Sequence, residues 1–223
     1  MVKSGGRQDR GLVLVGGGGH CRACIDVIEQ AGEHVIAGIV DPALAMGEEV
    51  LGYPVLGDDA MIPELVRHGY DFLITVGQIR DPSRRRGLFE RIAALGGRLP
   101  VIVSPLAHVS PHTRIGAGTV VMHHAVINAG AVVGRNCIVN TRALVEHDVV
   151  VHDHCHVATG AILNGGVVVE EGVFVGSGAV CREGVRLGRE SVVGCGVAVL
   201  HDVAAGRCLA GNRGREDRPV GGR

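Results

Sequence analysis

A histidine flanked by two carboxylates stands at Glu146-His147-Asp148, inside the densest polar stretch of the chain, Asn140-Thr141-Arg142-Ala143-Leu144-Val145-Glu146-His147-Asp148. His152, Asp153, His154 and His156 follow at once. An imidazole titrates near neutrality, so it can take the proton from an attacking group as that group forms its new bond. A carboxylate on the far ring nitrogen fixes the tautomer and stabilises the imidazolium. Either flanking carboxylate, Glu146 or Asp148, could be that partner of His147.

A second segment has the composition of an anion site. The apolar run Gly11-Leu12-Val13-Leu14-Val15 ends in Gly16-Gly17-Gly18-Gly19-His20, and a helical pattern from His20 to Ala31 follows. Strand, glycine turn and helix start leave backbone N–H groups free where the helix dipole favours a phosphate. Against G-x-G-x-x-G the match is imperfect, because Cys21 stands where the third glycine belongs. Asp41, closing the apolar run Val35 to Val40, is placed to accept from a ribose hydroxyl.

The elements that must carry these groups differ sharply between the two parts of the chain. From Val109 to Val199 an aliphatic residue returns every sixth position, with Cys181 the single departure. A small or β-branched residue precedes each by two, as at Thr119, Ala125, Ala131, Cys137, Ala143 and Cys155, and glycine often follows it, as at Gly116, Gly134 and Gly176. A period of six fits neither a helix nor a two-sided sheet, and marks a solenoid of stacked short strands. In that register Val145 and Val149 point inward, so Glu146, His147 and Asp148 occupy an outer turn. Cys137 and Cys155, eighteen apart, should stack one coil above the other. The first hundred residues instead alternate apolar runs with helical patterns near residues 58–68 and 81–95, and Leu99 to Val103 closes the series, which implies a small parallel sheet with crossover helices.

Composition narrows the classes. The net charge of −1 gives no broad basic surface for nucleic acid. No apolar stretch approaches the ~18 residues of a membrane span, and the start MVKSGGRQDR lacks a signal-peptide core, so a soluble, cytoplasmic protein is expected. Seven cysteines argue against a disulfide framework, and Cys21-x-x-Cys24 reads as part of a helix. The four histidines with Asp148 and Asp153 carry a competing metal reading. The spacing weakens it, since ligands on a solenoid should lie about one coil apart and no two histidines of the cluster are eighteen apart. His112, His123 and His124 read as exposed turn histidines, and Arg84-Arg85-Arg86 as a solvated helix face.

The unbroken aliphatic-Gly-x-x-small-x pattern over residues 105–212 resembles the left-handed β-helix of the hexapeptide acyltransferases. Joined to a small α/β unit opening in G-G-G-G-H, it is similar to the sugar acetyltransferases of the bacillosamine, perosamine and sialic-acid type. The Asn-Thr…Glu-His-Asp segment, with a second histidine nine residues after the first, matches that family residue for residue. The resemblance implies a small Rossmann-like nucleotide-sugar-binding domain over 1–104, the β-helix over 105–212 and a mobile tail over 213–223. It implies an acetyl-CoA-dependent N-acetyltransferase acting on a UDP- or GDP-linked deoxyamino sugar, with O-acetylation of a sialic-acid-like sugar as the alternative. No metal is implied.

The implied roles are His147 as general base with Asp148 orienting it, and Gly18, His20, Asp41, Asn140 and Glu146 toward the nucleotide sugar. His156 would donate to the thioester carbonyl oxygen, and Ala161, Gly165, Gly176 and Ser177 would flank the coenzyme arm. His147 and His156 fall on different sides of one coil, so a shared site requires neighbouring copies, and a homotrimer is the implied assembly. The closing Gly-x-Pro-Ala-basic segment of the family is replaced here by Gly211-Asn212-Arg213-Gly214-Arg215, which leaves Arg213 and Arg215 to meet coenzyme phosphates.

Overall fold

The computed structural model describes residues 10–211. The tail and the basic pair Arg213 and Arg215 lie outside the described residues. Its first part is a mostly parallel sheet, β1 (Leu12–Val15), β2 (Ile36–Val40), β3 (Glu49–Val50), β4 (Tyr53–Gly57) and β5 (Asp71–Ile74), in the order β3-β4-β2-β1-β5. Helices α1 (Gly19–Ala31), α2 (Ile62–Arg67) and α3 (Ser83–Ala94) supply the crossovers. The strands β1 and β5 are entirely buried, and apart from Asp71, which pairs with Arg98, they are aliphatic or aromatic, as suits strands covered on both faces. The short antiparallel pair β3–β4 was not expected from the sequence. It turns on Leu51 and Gly52, both at positive φ, which suits a tight hairpin but leaves too few residues for a period to show.

The second part is a left-handed parallel β-helix. Two-residue strands pair in parallel with those eighteen positions on, Val126–Ile127 with Leu144–Val145 and Leu144–Val145 with Ile162–Leu163. Three flat faces result. Face I carries strands from His108–Val109 to Ala198–Val199, face II from Arg114–Ile115 to Arg186–Leu187, and face III from Ile102–Val103 to Cys208–Leu209. Leu99 to Val103 therefore does not extend the N-terminal sheet. Ile102–Val103 pairs with Val120–Val121 and opens the solenoid, slightly ahead of residue 105. From Val121 to Val199 the inward residue of each hexad is buried, while Val109 and Ile115 near the open end are partly so, and Cys137 and Cys155 stack as the eighteen-residue spacing requires.

The glycines that directly follow the aliphatic residue do not make the coil corners. Gly176, for example, is needed because a Cβ there would come within 2.6 Å of the Cys195 amide nitrogen of the next coil. The left-handed corner residue comes three positions after the aliphatic one. Glycine fills most such positions, but His124, Asn136, Arg142, Asp148, His154 and Glu190 adopt positive φ without being glycine. Non-glycine residues in that region cost free energy and persist where surroundings or function retain them. Arg142, Asp148 and His154 are consecutive corners of the polar segment singled out above.

The two parts are packed together through face III. Its outward residues Val120, Ile138, His156 and Phe174 are buried, and Val120, Met122 and Ile138 share a core with Cys21, Cys24, Ile25 and Ile28 of α1. Faces I and II keep their outward residues at least partly exposed. Truncating an interior coil residue tests the packing: Leu163→Ala is expected to cost about 2–5 kcal/mol in denaturant unfolding, because a closely stacked column cannot collapse around the void.

Candidate acyl-transfer site

Glu146, His147 and Asp148 form the corner between face I strand Leu144–Val145 and face II strand Val150–Val151. The aliphatic residues on either side, Val145 and Val149, are fully buried and anchor it. Neighbouring coils fix its backbone, with Asp148 N donating to Ala129 O at 3.2 Å and Gly166 N to His147 O at 3.0 Å. The left-handed φ of Asp148 turns its carboxylate beside the preceding ring, and Nδ1 of His147 lies 3.0 Å from Asp148 Oδ2. That pairing places the ring proton on Nδ1 and leaves Nε2 as an acceptor. The His147 side chain is 60% exposed. Its pKa is raised above the ordinary histidine value, chiefly by the hydrogen bond to Asp148. Glu146 does not compete for the ring. Its Oε2 accepts from Asn128 Nδ2 at 2.8 Å and from the His147 amide at 3.2 Å.

One coil on from His147 stands Gly165. A Cβ built there would fall 2.6 Å from Cε1 and 2.7 Å from Nε2 of His147, so the ring occupies the space that a side chain would take. Ala161 does not belong with it. Its methyl lies in the β-helix interior, and its amide and carbonyl are used by Ala158 O at 3.0 Å and Leu144 N at 2.8 Å. The expected coenzyme contact at Ala161 is therefore corrected, because the small inward position of a hexad is core. Gly176 packs against the next coil, and exposed Ser177 sits on the corner between faces III and I, away from His147.

A second polar group forms where the α/β unit covers face III. His156 Nδ1 lies 2.6 Å from Gln78 O and its Nε2 lies 3.1 Å from Asn140 Nδ2. A carbonyl only accepts and an amide nitrogen only donates, so His156 carries its proton on Nδ1 and accepts at Nε2. Both nitrogens are thus engaged within the chain, unlike the free donor to a thioester that the resemblance implied. The His20 and His156 ring centroids are 6.5 Å apart, and Phe174 meets His156 edge-on. His147 and His156 lie on different sides of the solenoid, as their spacing required.

Burial pushes the His156 pKa down to about 4, and it pushes His20 down to about 3 with help from Arg85 and His156. In the unfolded chain both rings take up a proton as pH falls through 6.5. The unfolded state thus binds more protons between that value and the folded ones, and stability falls as pH falls. Melting temperature is expected to drop between about pH 7 and pH 4, and His156→Asn should flatten the slope. An unchanged slope in the variant would show that the buried ring is not what acid attacks.

The glycine loop lies between β1 and α1, with Gly18 exposed at the helix start. In the order β2-β1-β5 the sheet reverses between β1 and β5, which is where open α/β sheets hold ligands. Asp41 closes the loop from below, accepting from Gly17 N at 2.6 Å and Ala43 N at 2.8 Å. Gln78 and Arg85, beside this crevice, were not expected to matter. Arg85 is 1% exposed, so its placement on a solvated face is corrected. The signal was present, since Arg85, Leu88, Phe89 and Ile92 follow the i, i+3, i+4, i+7 spacing of one buried helix stripe. His123 is corrected too. It bridges Asp26 Oδ2 at 2.8 Å and Ser104 Oγ at 2.6 Å, tying α1 to the solenoid.

Among the described residues no group of histidines, cysteines and carboxylates is assembled as a metal site. His154 is buried against Asn136, His156 against Gln78, and His147 stands on another corner. Among the described residues no helix is long and apolar enough to cross a membrane.

Comparison with known proteins follows the same division. Residues 11–92 match the family described as the PglD N-terminal domain. The chain is 35% identical to perosamine N-acetyltransferase from Caulobacter crescentus, solved as a histidine-to-asparagine variant with CoA and GDP-perosamine; the match covers 90% of this chain and 93% of that one, with a TM-score of 0.85. It is 33% identical to the acetyltransferase domain of PglB from Neisseria gonorrhoeae in complex with acetyl coenzyme A, over 91% and 97% of the two chains, also at 0.85. WeeI from Acinetobacter baumannii shares the fold at 22% identity and 0.80, over 92% and 99%. No curated protein matches.

Proposed function

This chain belongs to the hexapeptide-repeat N-acetyltransferases of nucleotide-linked amino sugars, and from that premise we propose that it moves the acetyl group of acetyl-CoA onto the amine of a nucleoside-diphosphate deoxyamino sugar. The observation that carries the reading is the His147–Asp148 pair on an exposed corner, with Nε2 free to accept. The amine nitrogen attacks the thioester carbonyl, the new C–N bond forms and the C–S bond breaks. His147 Nε2 takes the amine proton and passes one to the departing thiolate, while Asp148 stabilises the imidazolium. No acyl-enzyme is required, because the thioester is already activated. Gly165 lies against the ring, and its backbone amide is our candidate for the donor to the developing oxyanion. Gly18, His20 and Asp41 are assigned to the nucleotide sugar, and Asn140, aligned by His156, to the acceptor side of the site. Ser177 is assigned to the coenzyme. We assign the reaction to the cytoplasm.

The site is completed by neighbouring copies in this reading. Face I presents an outward stripe of Val126, Leu144, Ile162 and Val180, and face II presents Val132, Val150 and Val168, all of them half-buried or exposed in the single chain. These two stripes flank the His147 corner. Three copies packed face to face would cover them and bring the face III side of one copy toward His147 of the next. Sedimentation of the wild type is expected to give a trimer, and Leu144→Glu a monomer that has lost activity. An active monomer would overturn the shared site.

The acceptor is tested by thiol release from acetyl-CoA over a panel of UDP- and GDP-linked 4-amino sugars, with free sialic acid included. Turnover on an amino sugar, giving a product stable to mild alkali, identifies the amide. An alkali-labile product from sialic acid alone would replace it with O-acetylation.

A further inference from the structure

Among the described residues Arg85 is the largest fully buried side chain, and none of their carboxylates hydrogen-bonds or ion-pairs with it. Burial lowers its pKa only to about 10, so it stays a cation at neutral pH. A buried unpaired charge is costly, and its retention needs a reason. Its partners supply one. Nη1 donates to Ile74 O and to Val76 O, the latter at 3.0 Å, at the end of β5. Nε donates to Asn136 O on the solenoid at 3.2 Å, and Asn136 Nδ2 donates back to Arg85 O at 3.3 Å. One guanidinium thus clamps the segment leaving β5 to a corner of the β-helix.

That segment carries Gln78. Its side-chain Nε2 donates to Gly172 O at 3.3 Å, and its backbone carbonyl receives the His156 Nδ1 proton at 2.6 Å. We infer that Arg85 is a positioning residue for acyl transfer, which holds the Gln78 carbonyl in place, keeps His156 protonated on Nδ1, and so leaves Nε2 to orient Asn140. The chain of contacts runs from Arg85 to Val76, Gln78, His156 and Asn140 without a break longer than two residues. A basic side chain on a crossover helix, remote from the His147 corner, thereby sets the orientation of a group on the acceptor side. The catalytic consequence rests on the reading proposed above, but the tautomer does not.

The test uses the full-length protein with Arg85→Lys and Arg85→Met. Imidazole nitrogen NMR at neutral pH reports the His156 tautomer directly, and thiol release gives kcat and KM for acetyl-CoA. Wild type is expected to show the Nδ1–H form alone. Both variants are expected to fold and to show mixed tautomers. Their kcat should fall roughly 10–100-fold with little change in KM, as misplacement of an aligning group by about 1 Å would produce. Lysine keeps the charge but cannot span three carbonyls, so Arg85→Lys should be closer to methionine than to wild type. The inference is overturned if wild-type His156 is protonated on Nε2, or if a folded variant keeps the single tautomer. It is also overturned if neither variant folds, since Arg85 would then be structural alone. A mixed tautomer in the variants with wild-type protein inactive toward every acceptor would uphold the positioning and reject the function.

Discussion

Replacing His147 by alanine is expected to lower kcat for acetyl transfer by about 10²–10⁴-fold, the contribution typical of a general base, and to leave the melting temperature nearly unchanged. The small thermal effect follows from the site. The side chain is 60% exposed, and the coil beneath it is held by backbone bonds and by the buried Val145 and Val149. Asp148→Asn is the sharper companion, because asparagine also tolerates the left-handed corner that Asp148 occupies. The variant keeps the backbone and removes the charge. His147 acts in its neutral form, and its pKa is raised by Asp148, so the acid limb of the wild-type pH–rate profile should lie above the ordinary histidine value. In Asp148→Asn the limb should move to lower pH and the plateau should fall. A limb that stays in place would show that Asp148 does not set the basicity of the ring. Thiol release measured from about pH 5 to 9 reads both effects, since this range spans the ordinary histidine pKa.

Gly165→Ala is expected to lower kcat/KM by about 100-fold through steric displacement of the base alone. The added carbon would sit 2.6 Å from the His147 ring, closer than any real contact, so the ring must swing away from its place beside Asp148. Gly166→Ala is the control. That residue has φ of +67° with open space around its missing side chain. Alanine there should cost about 1 kcal/mol of backbone strain and leave the ring where it is. A large activity loss for Gly165→Ala with a small one for Gly166→Ala, at matched melting temperatures, assigns the effect to the ring. Equal losses would mean that the corner as a whole, rather than the contact under His147, governs the rate.

Much of this site was legible beforehand, for identifiable reasons. The hexad places Val145 and Val149 inside, so the exposure of Glu146, His147 and Asp148 follows from counting. The choice of Asp148 over Glu146 rested on the resemblance, and the structure supplies a physical reason: Glu146 is held by Asn128 one coil earlier. Ala161 shows the opposite case. The resemblance set it beside the coenzyme arm, whereas small inward residues are where a narrow coil closes on itself. A residue with positive φ and a residue squeezed by the next coil are both glycine in sequence, and only dihedral angles separate Gly166 from Gly176.

What the sequence determined by itself is the repeating part of the protein. Each hexad encodes its own strand and corner, and each coil meets only its neighbours eighteen residues away, so a local period specifies the solenoid, its interior and the exposed base. The strand–glycine–helix start is local in the same way. Which solenoid face the α/β unit covers was decided only in three dimensions. That choice depends on two surfaces far apart in the chain fitting each other, with Ile25 and Ile28 against Val120 and Ile138, and Asp26 against His123. From it follow the neutral state of His156 and its bond to the Gln78 carbonyl, neither of which leaves a periodic trace. Residues 78 and 156 are joined by one hydrogen bond across that docked surface, and no spacing rule links them.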